Sequence, residues 1–168
     1  MQILLKCAAA MALCLPASAL ATSCGLAPFG ESVKTADLVA QVEIVRQRPA
    51  LNGTQPQLEV RVLATYAGRA PSRTLRILGA AGLDTYPAIQ NFPPGTRWVI
   101  ALDRRDLWGK PLPSNIYAPS GCVQQGLLVS GPIAYGILDG GLIYPSRASS
   151  LPLSQLAAWV GARRPGKP

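Results

Sequence analysis

Residues 57–67, QLEVRVLATYA, leave little choice of backbone. Leu58, Val60, Val62, Ala64 and Tyr66 fall on one side of an extended chain, and Gln57, Glu59, Arg61, Leu63 and Thr65 on the other. A period of two held for this long belongs to a half-buried strand and is out of phase with a helix. The neighbouring segments follow the same logic. DLVAQVEIVRQ alternates Val42 and Ile44 with Gln41 and Glu43, TLRIL turns Leu75 and Ile77 inward, and TRWVIALD sets Trp98, Ile100 and Leu102 on one face. GLLVS, IAYGIL and GLIYP read as shorter strands, with Asp139-Gly140-Gly141 as the tight turn between the last two.

Between these runs lie loops rich in proline and glycine, among them RPALNGTQPQ, GAAGLDTYPAIQNFPPG and RRDLWGKPLPSNIYAPSG. GESVKTA has the character of a short helical turn. SSLPLSQLAAWVGARR repeats Leu153, Leu156, Trp159 and Val160 at helical spacing, with Pro152 suited to a first turn. Gly161 is the expected end of this helix, and Arg163 and Arg164 suit the negative end of its dipole. The pattern predicts a mainly β chain: an OB-like barrel of five to six strands with a C-terminal helix. A β-sandwich satisfies the same pattern.

Residues 1–21 have the form of a secretory signal peptide. Lys6 precedes the apolar run CAAAMALCL, Pro16 breaks it, and small residues follow. The run is too short for a membrane-spanning helix, so export to the periplasm or the medium is expected, with no transmembrane span. Cleavage after Ala21 leaves Thr22 first; cleavage after Ser23 leaves Cys24 first. Lipid attachment at Cys24 would call for a larger aliphatic residue where Ala21 stands, so no lipid anchor is expected. A single domain over 22–160 and a disordered tail over 161–168 complete the organisation.

Removing the signal takes away Cys7 and Cys14 and leaves Cys24 and Cys122. Two cysteines in an oxidising compartment most simply form one disulfide. The loop closed would approach a hundred residues, which restricts the unfolded chain by about 4–5 kcal/mol in the entropy model.

The chain contains no histidine. Ser-His-Asp and Cys-His catalysis, histidine zinc sites and imidazole proton transfer are therefore excluded. Asp84, Asp103, Asp106 and Asp139 show no spacing that pairs two carboxylates, and no G-x-S-x-G elbow is present. The reading is of a protein that is not an enzyme and needs no cofactor or metal. Its formal charge of +8, or +7 once Lys6 is removed, comes largely from scattered arginines and allows attraction to acidic partners. The segment 104–117 gathers Arg104, Arg105, Trp108, Lys110 and Tyr117, cations beside aromatics of the kind an OB surface uses to bind. Export argues against nucleic acid and favours an extracytoplasmic protein or an anionic glycan.

The order of these pieces resembles the netrin-like, or tissue-inhibitor-of-metalloproteinase-like, OB-fold proteins and their secreted bacterial relatives. The matching features are Cys24 just after the signal, TADLVAQVEIV opened by Asp37, and LEVRVLATYAG ending in Tyr66 and Gly68. Gly95 before TRWVIALD, Cys122 and the terminal helix complete the set. The resemblance implies an OB barrel and contact with, or inhibition of, a zinc protease. In that family a free N-terminal cysteine chelates the catalytic zinc through its amine and carbonyl. The role would fall here to Cys24, with Gly25 and Leu26 lining the protease cleft. This chain departs from the family's Cys-x-Cys pattern at that point, since Leu26 stands where the second cysteine would.

Overall fold

The computed structural model describes residues 28–51, 54–80, 86–120, 126–139, 149–164 and 166. The signal peptide, Cys24, Gly25, Leu26, Cys122, the glycines of the 139–141 turn and the GLIYP strand lie outside the described residues. Along the chain come α1 (Phe29–Thr35), β1 (Leu38–Arg48), β2 (Gln57–Ala67) and β3 (Thr74–Leu78). A 3-10 turn (Ile89–Asn91) precedes β4 (Arg97–Asp103) and β5 (Ile116–Pro119). β6 (Gly126–Ser130), β7 (Ile133–Gly136), β8 (Ser149–Pro152) and α2 (Leu153–Ala162) complete the sequence.

Five strands close a barrel. β1 pairs antiparallel with both β2 and β4, β2 pairs with β3, and β3 runs parallel to β5. β5 returns antiparallel to β4 and shuts the ring, giving the circular order β1-β2-β3-β5-β4 of an OB-like fold. Register shifts at Val39/Ala40, Gln41/Val42 and Ile44/Arg46 mark irregularities in the β1–β2 ladder. Such bulges let one long strand bend around a small barrel and serve two neighbours.

Period two sets the layers. Leu38, Ala40, Val42 and Ile44 of β1 and Ile100 and Leu102 of β4 point into the barrel, where they meet Leu58, Val60, Leu75, Ile77, Phe92 and Tyr117. Their alternates, Val39, Val99 and Ala101, face outward onto a second core with Phe29, Val33, Leu127, Leu156 and Val160. The two helices cover this outer face, and Phe29 of α1 stacks on Trp159 of α2 at 6.1 Å between ring centroids. Each buried aliphatic side chain contributes about 1.5–3 kcal/mol relative to exposure, so the two-sided β1–β4 pair is the best-anchored part of the sheet.

β6 continues along the β4 edge that β5 leaves: β5 pairs at Leu102 and Asp103, and β6 at 97–100. β7 and β8 then extend the sheet outside the barrel. Two expectations are corrected here. Ser149–Pro152 forms β8 rather than the start of the helix, and α2 begins at Leu153 with Pro152 at its N-cap. Proline disfavours helical backbone at the residue before it, so Leu151 stays extended and pairs with Ala134. β5 falls within a segment expected to be loop; at four residues ending in proline it carries no periodic signal of its own.

The terminal arginines also act differently from expectation. α2 runs through Gly161 to Ala162. Arg163 lies over the Trp159 ring at 3.7 Å and binds Asp139. Arg164 is buried and donates from Nη1 to the carbonyls of Val33 and Ala36, at the C-terminal end of α1. It satisfies the orphan acceptors of the other helix, so the C-terminal segment is tied to the N-terminal one.

Two corners generate predictions. Gly68 has φ +73°, and a Cβ there would collide with the carbonyl of Asp37. Gly68→Ala should cost about 2–4 kcal/mol from left-handed strain and displacement of the β1 start, read as a lowered urea midpoint. At the opposite end of the hairpin, Arg46 and Arg48 each donate from Nε to Glu59 Oε2 at 2.9 Å. Arg48 first, and then Arg46, hold the Glu59 carboxyl below its ordinary value. A lowered folded-state value contributes stability in full above the unfolded carboxylate pKa and loses it as pH falls through the folded one. Glu59→Gln should therefore be less stable than wild type near neutrality, with the gap closing below the carboxylate range in a pH series of urea melts.

Candidate functional site

The connection from β4 to β5 is a braced hairpin that carries an exposed indole. Its base is Asp37, whose backbone N–H donates to Leu102 O and whose Oδ2 accepts from Arg104 N–H at 2.9 Å. Leu112 N–H donates to Arg104 O, and Arg105 forms an isolated bridge with Pro111. Asp106 then organises the tip: its Oδ1 accepts from Trp108 N–H at 2.9 Å and Lys110 N–H at 2.8 Å. This is the reason for aspartate at that position, since its short side chain reaches backbone amides two residues on. Gly109, at φ +76°, donates to Asp106 O, and Arg105 Nη1 donates to Gly109 O at 2.8 Å. Leu107 N–H donates to Tyr86 Oη, which moors the outer strand of the hairpin to the barrel.

At the end of this scaffold Trp108 is 92% exposed. Arg104, Arg105 and Lys110 of the same hairpin are exposed too. A large apolar ring in water, carried on a backbone held by a dense hydrogen-bond network, is an anchor whose backbone has little conformational entropy left to lose on contact.

Tyr117 does not belong to this surface. It is fully buried on β5, paired with Ile77, and its ring fills the barrel. The parallel pairing of β5 with β3 turns it inward, and only the Arg104 guanidinium, 5.8 Å from the ring centroid, links it to the loop. The structure therefore places Arg105, Trp108 and Lys110 at the tip of one hairpin, leaves Arg104 at its base beside the Tyr117 ring, and puts Tyr117 itself inside the barrel.

A second concavity was not foreseen. A cleft of about 440 Å³ opens beside β4 and β6, lined by Pro87, Asn91, Phe92, Trp98, Tyr135 and neighbouring glycines. The sequence pattern sets Trp98 on one face of its strand with Ile100 and Leu102. Nothing local reveals that the wall stops covering it, because that depends on where β5 ends along β4. Among the described residues no group of three or more Cys, Asp or Glu could hold a metal, and no helix is long and apolar enough to cross a membrane.

No protein-family model matches the chain, and no curated protein matches it in sequence.

Asp106→Ala should release both amides at the hairpin tip. Hydrogen exchange at Trp108 and Lys110 should accelerate at least tenfold with little change in global stability, since the bonds are local and exposed.

Proposed function

We propose that the mature chain is an exported, non-catalytic binding module of the netrin-like kind that contacts another extracytoplasmic protein through the Trp108 hairpin. The observation that carries this reading is the 92% exposure of Trp108 on a hydrogen-bonded turn. Tryptophan and arginine are the residues most enriched among the few that dominate protein interfaces. The partner complementary to this tip offers an apolar pocket for the indole and an acidic rim for Arg104, Arg105 and Lys110.

Inhibition of a zinc protease is the sharpest form of the proposal. It requires Cys24 as the first residue, with a free amine, and Gly25 and Leu26 beside the protease. A Cys24–Cys122 bridge is part of the same proposal; both residues lie outside the described ones, and chain reach from the flanking segments permits it. Ser120 Oγ donates to Ser32 O at 3.3 Å, which sets the end of β5 against α1. Cys122 is two residues beyond Ser120 and Cys24 four before Pro28, spans of at most about 7 and 14 Å. A bridged cysteine with a free amine would present nitrogen and oxygen to the open position of a catalytic zinc.

A second reading follows from the three exposed cations of the Trp108 hairpin: retention on an anionic envelope glycan. That mode is electrostatic and should collapse as salt screens it, whereas an indole-anchored protein contact should not.

A photo-crosslinking residue in place of the exposed neighbour Leu107, with Trp108 kept, should join the protein to one discrete extracytoplasmic partner in cells. Trp108→Ala should weaken the isolated complex about thirtyfold or more, the equivalent of about 2 kcal/mol for an interface anchor. An unchanged affinity would remove the hairpin from the interface. Intact mass of the exported protein reports whether Cys24 is first. If it is, loss of protease inhibition on N-terminal acetylation is the expected result.

A further inference from the structure

β4 changes neighbours partway along its length, and the change uncovers a ring. At Leu102 and Asp103 its outer edge is closed by β5, but at 97–100 the adjoining strand is β6. The inward face of β4 therefore runs out of the barrel onto the β6–β7 hairpin. Ile100 stands opposite Gly126, Trp98 opposite Leu128, and Leu128 opposite Tyr135. Leu128 and Tyr135 are 40% and 43% exposed, so this row of apolar side chains meets solvent.

The walls of the resulting cleft are set in advance. Phe92 packs on Trp98 at 4.8 Å between centroids, tilted by 57°. Gln47 Nε2 donates to the carbonyls of Ile89 and Phe92, at 2.8 and 3.0 Å, and so pins the 3-10 turn that carries Asn91. A Cβ added at Gly126 would lie 3.1 Å from Trp98 Cε3, so any side chain there would lie against the indole. Glycine keeps it uncovered. The indole N–H is already committed, donating to Thr96 Oγ1 at 2.9 Å. Trp98 thus lines the cleft with apolar ring atoms and no free donor.

No charged side chain is among the described residues that line the cleft. The described lining offers an ionic ligand no counter-charge, and a ligand with many buried polar groups would leave them unpaired there. The fit is to a neutral ring with an apolar face and a polar edge. Its face would lie on Trp98 and its edge would meet the amide of Asn91, which both donates and accepts, and the hydroxyl of Tyr135. The volume, about 440 Å³, is in the range of small-ligand sites. A proline-rich peptide also seeks aromatic grooves and could use the same Asn91 and Tyr135 donors, so it is the rival occupant that the test has to separate from a sugar.

We infer that this cleft is a binding site for a neutral saccharide, separate from the Trp108 hairpin, with one pyranose ring stacked on Trp98.

Saturation-transfer NMR on the mature protein, with neutral hexasaccharides of glucose, mannose and N-acetylglucosamine and a proline octapeptide, tests it. At least one hexasaccharide should receive saturation, strongest on the protons of one ring face. Gly126→Val should weaken binding tenfold or more by covering the indole. Tyr135→Ala, at an exposed position where folding is not at stake, should weaken it severalfold. Trp108→Ala should leave it unchanged, so failure of this site and failure of the hairpin proposal are told apart. The inference is overturned if no hexasaccharide binds, if the octapeptide binds in their place, or if both cleft variants bind as well as wild type.

Discussion

The pairing of β1 with β4 is the constraint on which the rest of the molecule depends. Leu38 to Glu43 face Leu102 to Arg97 without a break in register, and the pair is buried on both sides. Inward residues close the barrel and outward residues carry the helices, so one ladder serves two cores. A one-residue slip would exchange the two sets, moving Gln41 and Glu43 into the barrel. That penalty is why register can be specified so firmly by side chains that are individually unremarkable in chemistry.

The functional elements hang from the two ends of this pair. At the β1 start, Asp37 holds Arg104 N–H, and Gly68 gives way so that the β2 end can pass close to the Asp37 carbonyl. The three residues form a corner from which the Trp108 hairpin projects, so the stability of the barrel is transmitted to an exposed indole. At the other end of β4, the handover from β5 to β6 opens the cleft beside Trp98. In this arrangement rigid elements, rather than the loops alone, set where both rings stand.

The two aromatic features divide the chemistry. Trp108 stands exposed on a hairpin that also carries three exposed cations, which suits a large partner with acidic edges. Trp98 is recessed among uncharged neighbours, which suits a small neutral ring. A basic surface accelerates encounter with an acidic partner and loses that advantage with salt, while a recessed apolar ring is nearly indifferent to it. The buried Arg164 adds a link of another kind, since it fastens the C-terminal segment to α1 and thereby to the lead-in that follows Cys24.

Strand alternation in the sequence was enough to locate β2, β3 and β6 to the residue, and β1 and β4 nearly so; Leu58, Val60 and Val62 share the barrel side as expected, but the irregular β1–β2 ladder leaves Tyr66 on the outer core instead. It also showed that imidazole chemistry is unavailable to this chain. Those properties follow from covalent geometry and residue identity, which are local. The hairpin was half legible: its cations and Trp108 could be named, but Asp106 as the organiser of the tip could not. Tyr117 went inward because β5 pairs with a strand about forty residues earlier, and Arg164 serves α1 rather than the helix it follows. The Trp98 cleft exists only because two short strands share one edge of β4. Which edges meet, and where one partner yields to the next, is decided by packing between segments distant in the chain, and tertiary structure alone settles it.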